Sequence, residues 1–176
     1  TFGRAEISIA ANQDDYRYKR FEKAALNGAN VLSALFNVKV GQIIDNISLN
    51  RTMKEKLTES VHVANSEGIP MEKSKLKKTA RYVYDVIVRD HYASMAQDLH
   101  SALSNKNRQL VTETRDLDLA FFEIGKTHQI RTPFNLFYGG LMEEFTICYN
   151  LLKALDDKKA TKFATDFIDS NRRLIR

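Results

Sequence analysis

Three polar side chains interrupt the otherwise small and apolar run FEKAALNGANVLSALF, residues 21–36: Lys23, Asn27 and Asn30. The run reads as a helix. At about 100° per residue, Asn27 lies about 40° to one side of Lys23 and Asn30 about 20° to the other. An ammonium among alanine, leucine and valine neighbours needs partners or must give up its proton. A lysine shifted toward neutrality is a usable general acid or base, and amides beside it can orient a bound carbonyl. A plainer reading competes. Lys23 can sit at the helix edge and snorkel to water while the asparagines bond nearby backbone. Spacing by itself favours that plainer reading.

The elements that must position these residues are helices. The first is predicted from Asp14 or Asp15 to about Phe36, its aspartates suited to the positive N-terminal end. A short second helix starts at Val40. A third carries Met53, Leu57, Val61 and Ala64 on one stripe, with Gly68 and Pro70 as its stop signals. A fourth spans residues 71–92, basic first and apolar later. The fifth opens at Ser94, the sixth near Val111, the seventh at Thr132-Pro133, and the last near Lys158. Gly125 is expected to loosen or end the sixth, and Gly139-Gly140 to permit close helix packing. Only residues 7–10, ISIA, read as strand-like. One all-α, multi-helix bundle covering residues 1–176 is the fold expected.

The totals agree with a folded domain: 176 residues, 43% hydrophobic and 28% charged, with only two prolines and seven glycines. Cys148 is the only cysteine, which excludes an internal disulfide and fits a reducing, cytoplasmic setting. No apolar run approaches the ~20 residues of a membrane span, so no membrane partner is expected. A net charge of +5 is moderate.

Other constellations are weaker. The basic run KSKLKKTAR, residues 73–81, lacks aromatic interleaving and reads as a solvated helix face rather than a nucleic-acid site. His62, His91, His100 and His128 show no metal-ligand spacing, so no metal is expected. Neither a P-loop nor a G-x-G-x-x-G turn is present. Phe121, Phe122, Phe134, Phe137, Tyr138 and Phe145 recur at helical spacing and belong to core or interface. A leftover apolar helical face would favour a homodimer.

Two further runs, SMAQD from Ser94 and TPFN from Thr132, follow the lysine-asparagine segment in order. Together, K-x-x-x-N, S-M-x-Q-D, T-E and T-P-x-N resemble the C-terminal domain of ketopantoate reductases, the NADPH-dependent 2-dehydropantoate 2-reductases of pantothenate biosynthesis. The resemblance covers about Phe21 to Phe145. It implies the all-helical fold shared with the C-terminal domains of 6-phosphogluconate dehydrogenases. It also implies NADPH bound mainly by an upstream Rossmann domain, with no cofactor expected on this chain, and a small 2-keto acid as substrate. Lys23 then matches the catalytic lysine that protonates the ketone oxygen. Glu113 matches the glutamate that orients it. Asn27 and Ser94 match substrate-binding residues.

The sequence departs from the family pattern at several positions. The second asparagine is expected four residues after Asn27, where Val31 stands; Asn30 precedes it and is kept as a substrate-binding candidate. Ala93 replaces the first serine before methionine, and Arg115 stands where an aspartate is expected. The segment between Asp98 and Glu113 is roughly two helical turns longer than expected. These departures keep open a different 2-keto acid, a lapsed site, or a non-enzymatic dimerisation or partner-binding module built on the same fold. Thr1 opens the chain, so an upstream nucleotide domain is expected in a longer parent, and no turnover is expected of this chain alone.

Overall fold

The computed structural model describes residues 13–104 and 113–175, without the side chains of Gln13, Ser94, Met95, Asp98, Glu113 and Thr114. The strand-like residues 7–10 lie outside that range. The described residues form α1 (Gln13–Leu26), α2 (Gly28–Phe36), α3 (Val40–Asp45), α4 (Ile47–Ser66) and α5 (Lys73–Tyr82), then a π-helical turn (Val83–Ile87). After these come α6 (Ser94–Ser104), α7 (Glu113–Thr127), α8 (Pro133–Leu155) and α9 (Asp157–Arg173). The fold is all-α, as the sequence predicts.

Helix α2 is the centre of the bundle. Its residues Val31, Leu32, Ala34 and Leu35 are 0–1% exposed, and α4, α6, α7, α8 and α9 pack around it. A helix apolar on every side can only be stable when enclosed this way. The stripe Met53, Leu57, Val61 and Ala64 on α4 is buried, as predicted. Phe145 of α8 stacks on Phe163 and lies tilted against Phe167 of α9, and Tyr149 stacks on Phe145 within α8. The Tyr149 hydroxyl donates to the Ala102 carbonyl at 3.1 Å and ties α8 to α6. On α5, Leu76 and Ala80 face inward while Lys73, Lys75, Lys77, Lys78 and Arg81 are exposed, so the basic run is a solvated face.

Helix ends follow local chemistry. Asn46 caps α4 by accepting from the Leu49 amide at 3.0 Å, and Asp156 caps α9 through the Lys158 and Lys159 amides. Gly68, with φ +74, turns the chain after α4.

Three expectations are corrected. The helix predicted over 71–92 stops at Ile87, because its last turn widens to a π turn that carries Tyr84 into the core. Gly125 neither loosens nor ends α7, which runs on to Thr127. A Cβ there would meet the Ile130 carbonyl oxygen and Thr132 at 3.0 Å, so the glycine lets the following loop pass close by. The first helix, predicted continuous to Phe36, is two helices meeting at Asn27.

Candidate active site

The break at Asn27 sets the geometry of the lysine-amide segment. The Asn27 amide still donates to the Lys23 and Ala24 carbonyls, at 3.1 and 3.2 Å, but the Asn30 amide turns to the Asn27 carbonyl at 2.9 Å. The Leu26 carbonyl thus loses its helical partner and accepts instead from the buried Tyr84 hydroxyl. Burial pushes the Tyr84 phenol well above its ordinary pKa, so it stays a donor; the Ala29 amide opposes this weakly. The Lys56 side chain passes beneath Gly28, where a Cβ would lie 3.4 Å from Lys56 Cε, in ordinary van der Waals contact. Glycine's low helix propensity helps end the helix at the same place. The single 100°-per-residue wheel therefore does not carry across Asn27.

Lys23 is exposed in the last turn of α1, where the helix dipole favours a cation. It has no ion pair among the described residues. Asn27 and Asn30 are half-buried, one at the joint and one in the first turn of α2. Ser94 is the first residue of α6, and the amide just before it, on Ala93, donates to Ser33 Oγ at 3.1 Å. Ser33 is the sixth of the nine residues of α2, and the Val40 amide donates to the His91 carbonyl at 3.0 Å, so the start of α6 is pinned toward the C-terminal half of α2 and not at the Asn27 joint. Glu113 is the first residue of α7. Phe21 meets Phe121 edge to face with centroids 6.0 Å apart. Arg17 bonds the Glu67 carbonyl, and Glu67 in turn pairs with His128, just past the end of α7. Helices α1 and α7 therefore run antiparallel, and α7 begins toward the Asn27 end of α1. The side chains of Ser94 and Glu113 lie outside the described residues.

Beneath the joint is a buried polar network that the sequence reading missed. Lys56 and Asp118, 1% and 2% exposed, form an ion pair between α4 and α7. The Lys56 ammonium also lies over the Tyr138 ring, 5.7 Å from its centroid. Burial pushes the Asp118 carboxyl up, and the Lys56 ammonium in contact pulls it back. One turn along α4, Glu59 accepts from the Phe134 and Asn135 amides, both at 2.9 Å, and from Asn135 Nδ2 at 2.8 Å. It caps the N-terminus of α8, a place that Thr132 would fill by sequence. Burial raises the Glu59 carboxyl, opposed by those three bonds and by Lys56. A signal existed: Lys56 and Ser60 fall three residues after Met53 and Leu57, on the flank of the buried stripe.

The arrangement places an ammonium that is free among the described residues and two amides at a helix joint, with the start of α7 brought toward it and the start of α6 farther along α2. Such groups can donate to a carbonyl oxygen and orient it. Among the described residues no three His, Cys, Asp or Glu side chains gather as for a metal ion.

Comparison with known proteins agrees with this architecture. The family described as "Ketopantoate reductase PanE/ApbA C terminal" matches residues 15–144. A 2-dehydropantoate 2-reductase of Aquifex aeolicus (strain VF5) is 28% identical over 141 residues, 78% of this chain and 43% of that protein. Two solved structures share the fold. D-mandelate dehydrogenase with NADH gives a TM-score of 0.64 at 23% identity, over 74% of this chain and 42% of that one. Its ternary structure with NADH and anilino(oxo)acetate gives 0.60 at 20% identity, over 91% and 43%. The chain thus spans about two fifths of the length of these relatives. It belongs to the ketopantoate reductase family, as the helical C-terminal part.

Proposed function

We propose that this chain is the substrate-side, proton-donating part of an NADPH-dependent oxidoreductase that reduces a 2-keto acid to a 2-hydroxy acid, in a reducing, cytoplasmic setting. The observation that carries this reading is Lys23, an exposed ammonium with no ion pair among the described residues, beside two half-buried amides in a domain of this family. The described residues include no strand followed by a glycine-rich turn, so they do not fit a dinucleotide. NADPH, held by an upstream nucleotide domain of the parent protein, supplies the hydride to the ketone carbon. Lys23 gives its proton to the ketone oxygen and is reprotonated from water. A fixed cation there counters the negative charge that develops on oxygen. Glu113, at the start of α7, aims Lys23 at the ketone oxygen. Asn27, Asn30 and Ser94 hold the substrate in register.

The test uses a form of the protein that carries the nucleotide domain. NADPH oxidation is followed with ketopantoate and several other 2-keto acids, for the parent protein and for Lys23→Ala. The expected loss in kcat is about 100-fold or more, the share of a positioned acid. Turnover unchanged by Lys23→Ala removes the lysine from the mechanism.

A second reading has its own observation. On α8, Leu136, Ile147, Leu151 and Leu155 are exposed at spacings of a helical face, with Phe137 beside them, and Leu155 is 84% exposed. Such a stripe suits a homodimer contact or a partner helix. As the chain's sole role, it would make this a binding module without catalysis.

A further inference from the structure

A cleft enclosing about 470 Å³ runs between α1 and α7. Phe21 and Phe121, in their edge-to-face contact, form its floor, with Leu117 and Ile124 a turn to either side. Ala24 and Ala120 are too short to fill the space above the rings. Its volume is in the range of small-molecule sites, which run from roughly 300 to 1,000 Å³.

The polar rim is one-sided. Arg17 and Arg20 both line the cleft from α1 and are exposed. Arg17 spends one N–H on the Glu67 carbonyl at 3.2 Å and keeps the others. Arg20 lies 5.6 Å from the Tyr16 ring centroid and has no carboxylate partner among the described residues. Among the described residues Glu67 is the only acidic one on the lining, and its carboxylate is engaged by His128 Nε2 at 2.6 Å. Two guanidiniums therefore face an apolar trough in which the described residues supply no free carboxylate to answer them.

We propose that this cleft binds an organic carboxylate with an aryl or branched-alkyl body. The body lies against Phe21 and Phe121, and the carboxylate is bridged by Arg17 and Arg20. Guanidinium forks match carboxylate geometry and form charge-assisted bonds, while the apolar floor rewards the body and not a bare anion. Two sources share this chemistry: the side chain of a 2-keto acid substrate reaching back past Ala24 to Lys23, or a separate acid that never contacts Lys23. The site itself does not depend on the reductase reading, since its binding needs neither cofactor nor turnover.

The experiment titrates 4-phenylbutyrate into this chain by calorimetry and by NMR, with 4-phenylbutyramide and butyrate as controls. Saturable binding of the aryl acid is expected, with each control about tenfold weaker, the scale of one lost charge-assisted bond or one buried ring. Arg17→Gln/Arg20→Gln is expected to weaken the acid about tenfold or more and to leave the amide unchanged. Ala120→Trp, at an exposed position, fills the cleft and abolishes binding with the helical circular dichroism intact. Equal binding of acid and amide, or binding that survives Ala120→Trp, overturns the proposal. Lys23→Ala then separates the sources. Weaker acid binding makes the ligand the substrate of the lysine site, and unchanged binding makes it a separate acid; both outcomes sustain the cleft as its site.

Discussion

Lys56 and Lys23 carry the same charge and meet opposite fates. Lys56 is committed inside the bundle, against Asp118 and the Tyr138 ring, so its ammonium is structural. Removing one partner strands the other as a buried charge. Lys56→Met is therefore expected to cost about 3–5 kcal/mol, and Lys56→Met/Asp118→Leu to recover most of it. Urea denaturation of the four members of that cycle measures the difference. A double variant no more stable than the single one would mean that the pair is not the source of the loss. Glu59 gives a pH-dependent counterpart. Its folded pKa is raised above 4.5 by burial, so its contribution to stability is fully present below that value and declines as pH rises through the folded pKa. Stability relative to Glu59→Gln should thus grow as the solution is acidified from neutrality. A difference that shrinks instead would show the α8 cap bonds outweighing burial.

At the scale of elements, adjacent glycines on α8 do different things. A Cβ at Gly139 would meet Asp118 Cβ at 3.0 Å and Leu119 Cδ2 at 3.1 Å, whereas one at Gly140 would meet nothing within 4 Å. Gly139→Ala should lose about 1–3 kcal/mol by forcing α7 and α8 apart. Gly140→Ala should gain about 0.5–1 kcal/mol from helix propensity. Thermal melts of the two variants distinguish them by the sign of the shift. The pair was legible in the sequence as a packing device, but not which member packs, since that depends on the angle at which α7 crosses. The same limit applies to the helix joint. The apolar run through residue 36 gave no local stop signal beyond Asn27-Gly28, and the group that takes up the freed Leu26 carbonyl is distant: the Tyr84 hydroxyl arrives from the π turn. The all-α class and the α4 stripe were readable from period and composition, whereas the split of the first helix, and with it the placement of Asn30 relative to Lys23, was not. The Lys56–Asp118 pair was not, because a charge on the flank of an apolar stripe usually snorkels out, and only the fold supplies its carboxylate.

For the molecule as a whole, the exposed stripe on α8 is the surface whose burial would change its assembly. If two copies meet there, Leu151→Glu should shift the sedimentation of this chain to that of a monomer without altering its melting profile at low concentration. A chain already monomeric at high concentration would leave the stripe to another partner, such as the remaining three fifths of a full-length relative. The joint between α1 and α2 has a consequence for the family at large. In an unbroken helix, inserting or deleting one residue rotates everything beyond it by about 100° and turns buried residues outward. At a joint closed by a tyrosine from elsewhere, a one-residue change is absorbed locally, and both helices keep their faces. Length variation among relatives should therefore collect between Asn27 and Asn30, and the lysine-bearing helix and the buried central helix can diverge in spacing without losing the fold.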